Sequence, residues 1–159
     1  MRLKGVDILI GAFKDVKKAF PDASLLLSGR ILDNINVNRD GIIYEEYPKR
    51  SEVVTALNAA DVAVLPNRKG SFSKYCFPYK LFEYMAAGLP IVATNIGDSS
   101  LILSDYRDNL CKPDDGHDMA EKLIYALKSN KKRNYGSLLK NMAWKSLSKK
   151  LEKVITQNG

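Results

Sequence analysis

Residues 78–94, Pro78-Tyr79-Lys80-Leu81-Phe82-Glu83-Tyr84-Met85-Ala86-Ala87-Gly88-Leu89-Pro90-Ile91-Val92-Ala93-Thr94, leave few folds open. Pro78 suits the first position of a helix, where its missing N–H costs nothing. Leu81, Phe82 and Met85 recur at helical spacing and make one apolar face. Gly88 can take the left-handed backbone that ends a helix, and Pro90 prevents continuation. Ile91-Val92-Ala93 then reads as a short strand apolar on both faces, which belongs in a sheet covered on both sides.

Two residues of that helix fall outside a packing account. Lys80 puts a positive charge in the first turn, where the helix dipole disfavours cations by roughly 0.3–1 kcal/mol. Glu83 follows one turn later. A helix N-terminus with a lysine beside it suits a phosphate, and a carboxylate one turn down can accept two hydrogen bonds from a ribose diol. The same spacing also fits a solvated Lys–Glu pair at i, i+3, worth a few tenths of a kcal/mol.

The rest of the chain repeats the alternation. Val6, Leu9, Ile10, Phe13, Val16 and Phe20 give residues 4–20 a one-faced helix. Residues 23–28 read as a buried strand ending at Gly29, residues 30–41 as a loop, and residues 42–44 as a second strand. A helix capped near Ser51 runs to Ala60. Residues 61–66 read as a third strand, followed by a polar loop over residues 67–77. Beyond the Ile91 strand, residues 98–103 predict one or two helical turns and residues 109–111 a last strand. Helices are predicted over residues 118–128 and from Tyr135 to the end, the latter with Met142, Leu147, Leu151 and Ile155 inward. No internal repeat appears. This rhythm predicts one α/β domain over residues 1–159 with a doubly wound parallel sheet. Ligands of such sheets bind beyond the C-terminal ends of the strands. Arg68, Lys69, Lys74 and Lys80 crowd that edge and suit a diphosphate.

Composition narrows the function classes. No run approaches 18 apolar residues, so no membrane-spanning helix is predicted. Cys76 and Cys111 fit neither a metal spacing nor a disulfide framework, which points to reduced thiols and a cytoplasmic protein. The net charge of +7 is uneven. Residues 128–159 carry nine positive groups against Glu152 alone, while residues 1–127 carry 16 positive and 17 negative groups. The basic helices of residues 130–159 fit a solvated face, or an anionic membrane surface. No nucleic-acid motif accompanies them. His117 reads as a surface turn, Asp114-Asp115 as a turn and helix cap, and Trp144 as a packing anchor.

Taken in register, these segments resemble the C-terminal, donor-binding domain of GT-B glycosyltransferases of family four, glycosyl transferases group 1. Lys4-Gly5-Val6-Asp7 with Leu9-Ile10 and Ala12-Phe13 resembles the family's phosphate lysine and first helix. Leu25-Leu26-Leu27-Ser28-Gly29 and Ala59-Ala60-Asp61-Val62-Ala63-Val64-Leu65-Pro66 resemble two of its strands. The 78–94 stretch is the strongest match, and Trp144-Lys145 resembles the closing segment. The resemblance implies a Rossmann-like domain that binds a nucleotide diphosphate sugar, UDP- or GDP-linked. It would be the C-terminal half of a retaining enzyme moving a hexose-type sugar to a glycan or lipid-linked acceptor, at the inner face of the membrane. It implies no cofactor and no metal. Glu83 would hold the ribose, Lys4 and Lys80 the phosphates with Arg68 and Lys74 nearby, and Tyr44 and Tyr47 would lie by the base.

Departures from the family pattern carry their own expectations. The family's second glutamate, eight positions before Glu83, is Tyr75 here, so the contact to the transferred sugar is altered and no catalytic residue can be assigned. The family's glycine pair and following glutamate appear as Gly97-Asp98-Ser99-Ser100. Only Met1-Arg2-Leu3 precede Lys4, where the family has its first strand. The sheet is therefore expected to lack a central strand between those at residues 25–28 and 62–65. That strand, with an N-terminal acceptor-binding half, would come from elsewhere in a longer protein or from a partner chain. A non-catalytic scaffold that keeps the fold is the alternative.

Overall fold

Among the described residues, five short parallel strands form the framework, divided between two sheets. The computed structural model describes residues 4–29, 35–129 and 132–157. β1 (Leu25–Ser28) pairs with β2 (Ile42–Glu45), and β3 (Ala63–Leu65), β4 (Ile91–Thr94) and β5 (Leu110–Cys111) form the second sheet in that order.

β4 shows why the layers form. All four of its residues are buried, but alternate side chains face opposite directions. Val92 packs into a cluster with Leu9, Ile10, Phe13 and Val16 of α1 (Val6–Ala19) and with Met119 and Leu123 of α6 (Gly116–Ser129). Ile91 and Ala93 pack into a second cluster with Leu81 and Met85 of α4 (Tyr79–Ala86) and with Tyr135. The central strand is thus helix-covered on both faces, as its apolar run predicts. Gly88 ends α4 at φ 69°, the left-handed geometry expected of it.

The sheet is interrupted where the resemblance puts the absent strand. β1 and β3 each end their own sheet. Yet Leu25 and Leu27 of β1 share one apolar cluster with Val62 and Val64, so α1 covers both sheets. Among the described residues no strand fills the interruption. On its far face Leu26 and Ile43, adjacent across the β1–β2 ladder, are exposed. β1 is therefore alternately buried rather than buried on both faces, because none of the described residues covers its second face.

Other boundaries differ for local reasons. α2 (Arg50–Ala59) starts after Lys49, not Ser51; the Glu52 carboxylate reaches back 3.1 Å to accept from the Lys49 N–H. The predicted loop over 67–77 contains a short helix, α3 (Ser71–Tyr75). α5 (Gly97–Ile102) is the expected pair of turns, continued by a 3-10 segment Ser104–Asn109. The single C-terminal helix is two, α7 (Gly136–Met142) and α8 (Trp144–Gln157), separated by an extended Ala143. The Ser146 hydroxyl, 2.7 Å from the Lys140 carbonyl, satisfies a group the break releases. Trp144 does not anchor packing: it is 84% exposed, and Leu151 and Ile155 point outward as well. Part of the loop assigned to residues 30–41, and Met1-Arg2-Leu3, lie outside the described residues.

Candidate functional site

The C-terminal ends of β3 and β4 are built around two close backbone approaches. Gly5 has φ 60° and ψ 22° and serves as the N-cap of α1. A Cβ there would lie 1.8 Å from the Pro66 carbonyl oxygen, just past β3. Only glycine lets the start of α1 come this near the strand end. At Gly97, after β4, φ is 55° and a Cβ would lie 2.7 Å from the carbonyl oxygens of Ser73 and Lys74. Two glycines thereby pin the start of α1 and the start of α5 against the loop that carries α3.

Two lysines of these segments lie over aromatic rings. The Lys4 ammonium sits 4.9 Å from the centroid of the Phe72 ring on α3. Lys74, two residues on, lies over the Tyr75 ring at 5.4 Å. Three residues separate α3 from α4, and the N-cap of α4, Pro78, offers no side chain to the first turn. The backbone donors of that turn and the exposed Lys80 therefore lie at the same sheet edge, with Glu83 exposed one turn below. Phe77 links the segments, stacking on Phe82 at 5.4 Å and meeting the edge of Tyr79 at 5.1 Å. Beside Glu83, burial, and then the glutamate's charge, push the Tyr84 phenol up to about 12. That hydroxyl stays protonated and uncharged.

Arg68 has a different setting. Its guanidinium pairs with Asp7 on α1 and lies 3.6 Å from Asp114, before α6. It straps three segments together, with two carboxylates answering its charge. Lys4, Lys69, Lys74 and Lys80 are the exposed cations of the predicted set. Tyr75 is 76% exposed and brings a ring, not a carboxylate, to the position eight before Glu83. Tyr44 and Tyr47 lie at and just past the C-terminal end of β2, in the other sheet. The Tyr44 hydroxyl is 3.0 Å from the Gly29 carbonyl and 3.2 Å from the Glu46 carboxylate.

Two polar residues at this edge escape the sequence reading. Asn67 and Ser73 are buried, and Asn67 Oδ1 and Ser73 Oγ have no hydrogen-bond partner among the described residues. The only signal was polar residues directly after an apolar strand in a sheet of this class. Asp114 and Asp115 form the expected turn: Asp114 has φ 58°, and the Asp115 carboxylate accepts from the Asp118 N–H at 2.9 Å. His117 falls in the first turn of α6, exposed, 3.9 Å from Glu121. Among the described residues no three His, Cys, Asp or Glu side chains gather as metal ligands.

Comparison with known proteins bears on the chain as a whole. A family model described as glycosyl transferases group 1 matches residues 1–129. The chain is 26% identical over 154 residues to TuaH of Bacillus subtilis, a glycosyltransferase named for teichuronic acid biosynthesis, covering 89% of this chain and 39% of that protein. It is 29% identical over 133 residues to a phosphatidyl-myo-inositol mannosyltransferase of Mycobacterium leprae, covering 80% and 34%. A crystal structure of a glycosyltransferase from Rickettsia africae superimposes with a TM-score of 0.72 at 16% identity, over 99% of this chain and 45% of that one. The chain thus spans between a third and two fifths of the length of these two curated relatives.

Proposed function

The chain belongs to the glycosyl transferases group 1 family, and from that premise we propose that it binds the nucleotide diphosphate sugar of a retaining glycosyltransferase. What supports this reading is that Lys74, Lys80 and the uncapped N-terminus of α4 follow β3 in the chain, with Lys4 over Phe72 on α3 and Glu83 one turn into α4. In this reading the leaving diphosphate is neutralised by lysines and backbone N–H groups, with no metal. Glu83 accepts from the ribose hydroxyls. Lys4 and Lys80 hold the phosphates and Lys74 lies by the β-phosphate. Tyr44 and Tyr47 flank the base from the other side of the interruption. Arg68, held by Asp7 and Asp114, keeps the α1 and β3 loops in register.

A hexose-type donor and a glycan or lipid-linked acceptor complete the proposal. The acceptor side belongs to an N-terminal half or a partner chain that also supplies the strand between β1 and β3. Tyr75 favours a second reading, in which the domain binds nucleotide but does not by itself promote transfer, since no carboxylate stands at that position.

The test is calorimetric titration with UDP, GDP and ADP beside the corresponding monophosphates and nucleosides. One base should be preferred, and the diphosphate should bind at least tenfold better than its monophosphate, because each charge-assisted contact is worth about 1.5–3 kcal/mol. Equal, weak binding of all of them by folded protein would defeat the proposal.

A further inference from the structure

The segment that joins β3 to α4 is rich in positive charge and empty of negative. No Asp or Glu stands between Pro66 and Glu83, whereas Arg68, Lys69, Lys74 and Lys80 do. Arg68 is answered by Asp7 and Asp114. Lys69 and Lys74 are exposed, and neither enters an ion pair among the described residues. Gly97 sets the start of α5 against the Ser73 and Lys74 carbonyls, but the Asp98 that follows it is in no ion pair among the described residues either.

On the donor-binding reading above, from which this proposal starts and without which it fails, Lys4 and Lys80 hold the diphosphate and Glu83 is taken up by the ribose. A diphosphate esterified at both ends carries one charge per phosphate, which those lysines and the N-terminus of α4 answer. Lys69 and Lys74 are then cations in excess. The sugar hangs from the β-phosphate, beside Lys74, so the excess falls where the transferred sugar lies. Ser73 is buried and its carbonyl meets Gly97, so Lys74 and Tyr75 are presented from a seated backbone. Tyr75 is 76% exposed, with the Lys74 ammonium 5.4 Å from its ring centroid. A sugar at this place meets an aromatic face and an ammonium, and no carboxylate of this segment repels an anion.

We propose that the donor sugar is itself anionic: a nucleotide-linked hexuronic acid, its C6 carboxylate paired with Lys74 and drawn by Lys69. A hydrogen bond between an ammonium and a carboxylate is about twice as strong as one between neutral groups. A neutral hexose presents a hydroxymethyl group in the same place and leaves both ammonium groups to water. The neutral sugar is therefore admitted but not favoured, and selection works by attraction, which salt screens.

The test is calorimetry on the full chain with UDP-glucose beside UDP-glucuronate, and GDP-mannose beside GDP-mannuronate. The members of each pair differ only at C6, and UDP and GDP are titrated with them. For the base that binds, the uronate should bind about tenfold or more tighter than the neutral sugar. That ratio should shrink when salt is raised from about 0.05 to about 0.5 M. Lys69→Gln with Lys74→Gln should bring the ratio within about threefold of unity, whatever the pair does to diphosphate affinity itself. Tyr75→Glu, which sets an acid beside Lys74, should lower the ratio as well. All three positions are exposed, so the variants retain the fold, which far-ultraviolet circular dichroism checks. Uronate and neutral sugar bound alike, by protein that binds UDP or GDP, would overturn the proposal and leave the donor-binding reading standing. A uronate preference that Lys69→Gln with Lys74→Gln leaves unchanged would overturn it too. Folded protein that binds none of these compounds would overturn both.

Discussion

Replacing Gly5 by alanine attacks the joint on which the candidate site depends. The native backbone there is left-handed, which costs an L-residue about 1–2 kcal/mol. The added methyl would also sit 1.8 Å from the Pro66 carbonyl oxygen, a backbone atom that cannot rotate away. Relieving such an overlap typically costs a further 1–3 kcal/mol. The expected loss is therefore about 2–5 kcal/mol, and a mid-range loss of about 3 kcal/mol lowers the melting midpoint by roughly 6–12 °C in a chain of this size. Gly11 supplies the internal control. It is exposed within α1, and nothing lies within 4 Å of the place an added methyl would take, so Gly11→Ala should gain about 0.5–1 kcal/mol. Urea unfolding of the two variants beside the parent reads both signs in one experiment. A Gly5→Ala protein within about 0.5 kcal/mol of the parent would refute the claim that α1 is locked against the end of β3.

Arg68→Ala should lower stability by about 1 kcal/mol, since its partners Asp7 and Asp114 are partly exposed and screened. The same variant should change nucleotide affinity less than threefold, whereas Lys4→Ala should reduce it roughly tenfold or more by losing a charged phosphate contact. Burial holds the Cys111 thiol up at about 11, so a thiol reagent at pH 8 should label Cys76 in the native protein and Cys111 only in denaturant. Hydrogen bonding from the Asp118 N–H holds the Asp115 carboxyl below its ordinary 3.8. A depressed folded value stabilises above the unfolded one, and the benefit is lost as pH falls through the folded value. Asp115→Ala should therefore unfold at lower urea than the parent at pH 7, with the gap narrowing as pH falls below 3.8.

What could be read from the sequence was what local chemistry determines. The α4–β4 unit follows from Pro78, the spacing of Leu81 and Met85, Gly88 and the apolar run after Pro90. The double cover of β4 follows from that same run, and the interruption between β1 and β3 from the segment order of the resembling family. α3 stayed hidden because Ser71–Tyr75 is too short to show a period. The break at Ala143 stayed hidden because neither glycine nor proline marks it. Arg68 looked like a ligand for phosphate because its partners, Asp7 and Asp114, are remote in sequence and only the fold brings them to it. Trp144, Leu151 and Ile155 have the period of a core-facing helix. Periodicity says that one face is apolar, not what covers it.

The central claim, that Glu83 holds a ribose diol beside a diphosphate cradle, is tested most directly by pairing a substitution with a ligand change. Affinities would be measured by calorimetry for the preferred nucleoside diphosphate and its 2′-deoxy analogue, in the parent and in Glu83→Ala. If the carboxylate accepts from the diol, the parent should favour the ribose form by about tenfold or more, and the variant should bind both forms alike. A variant that keeps the parent's preference for ribose would contradict it.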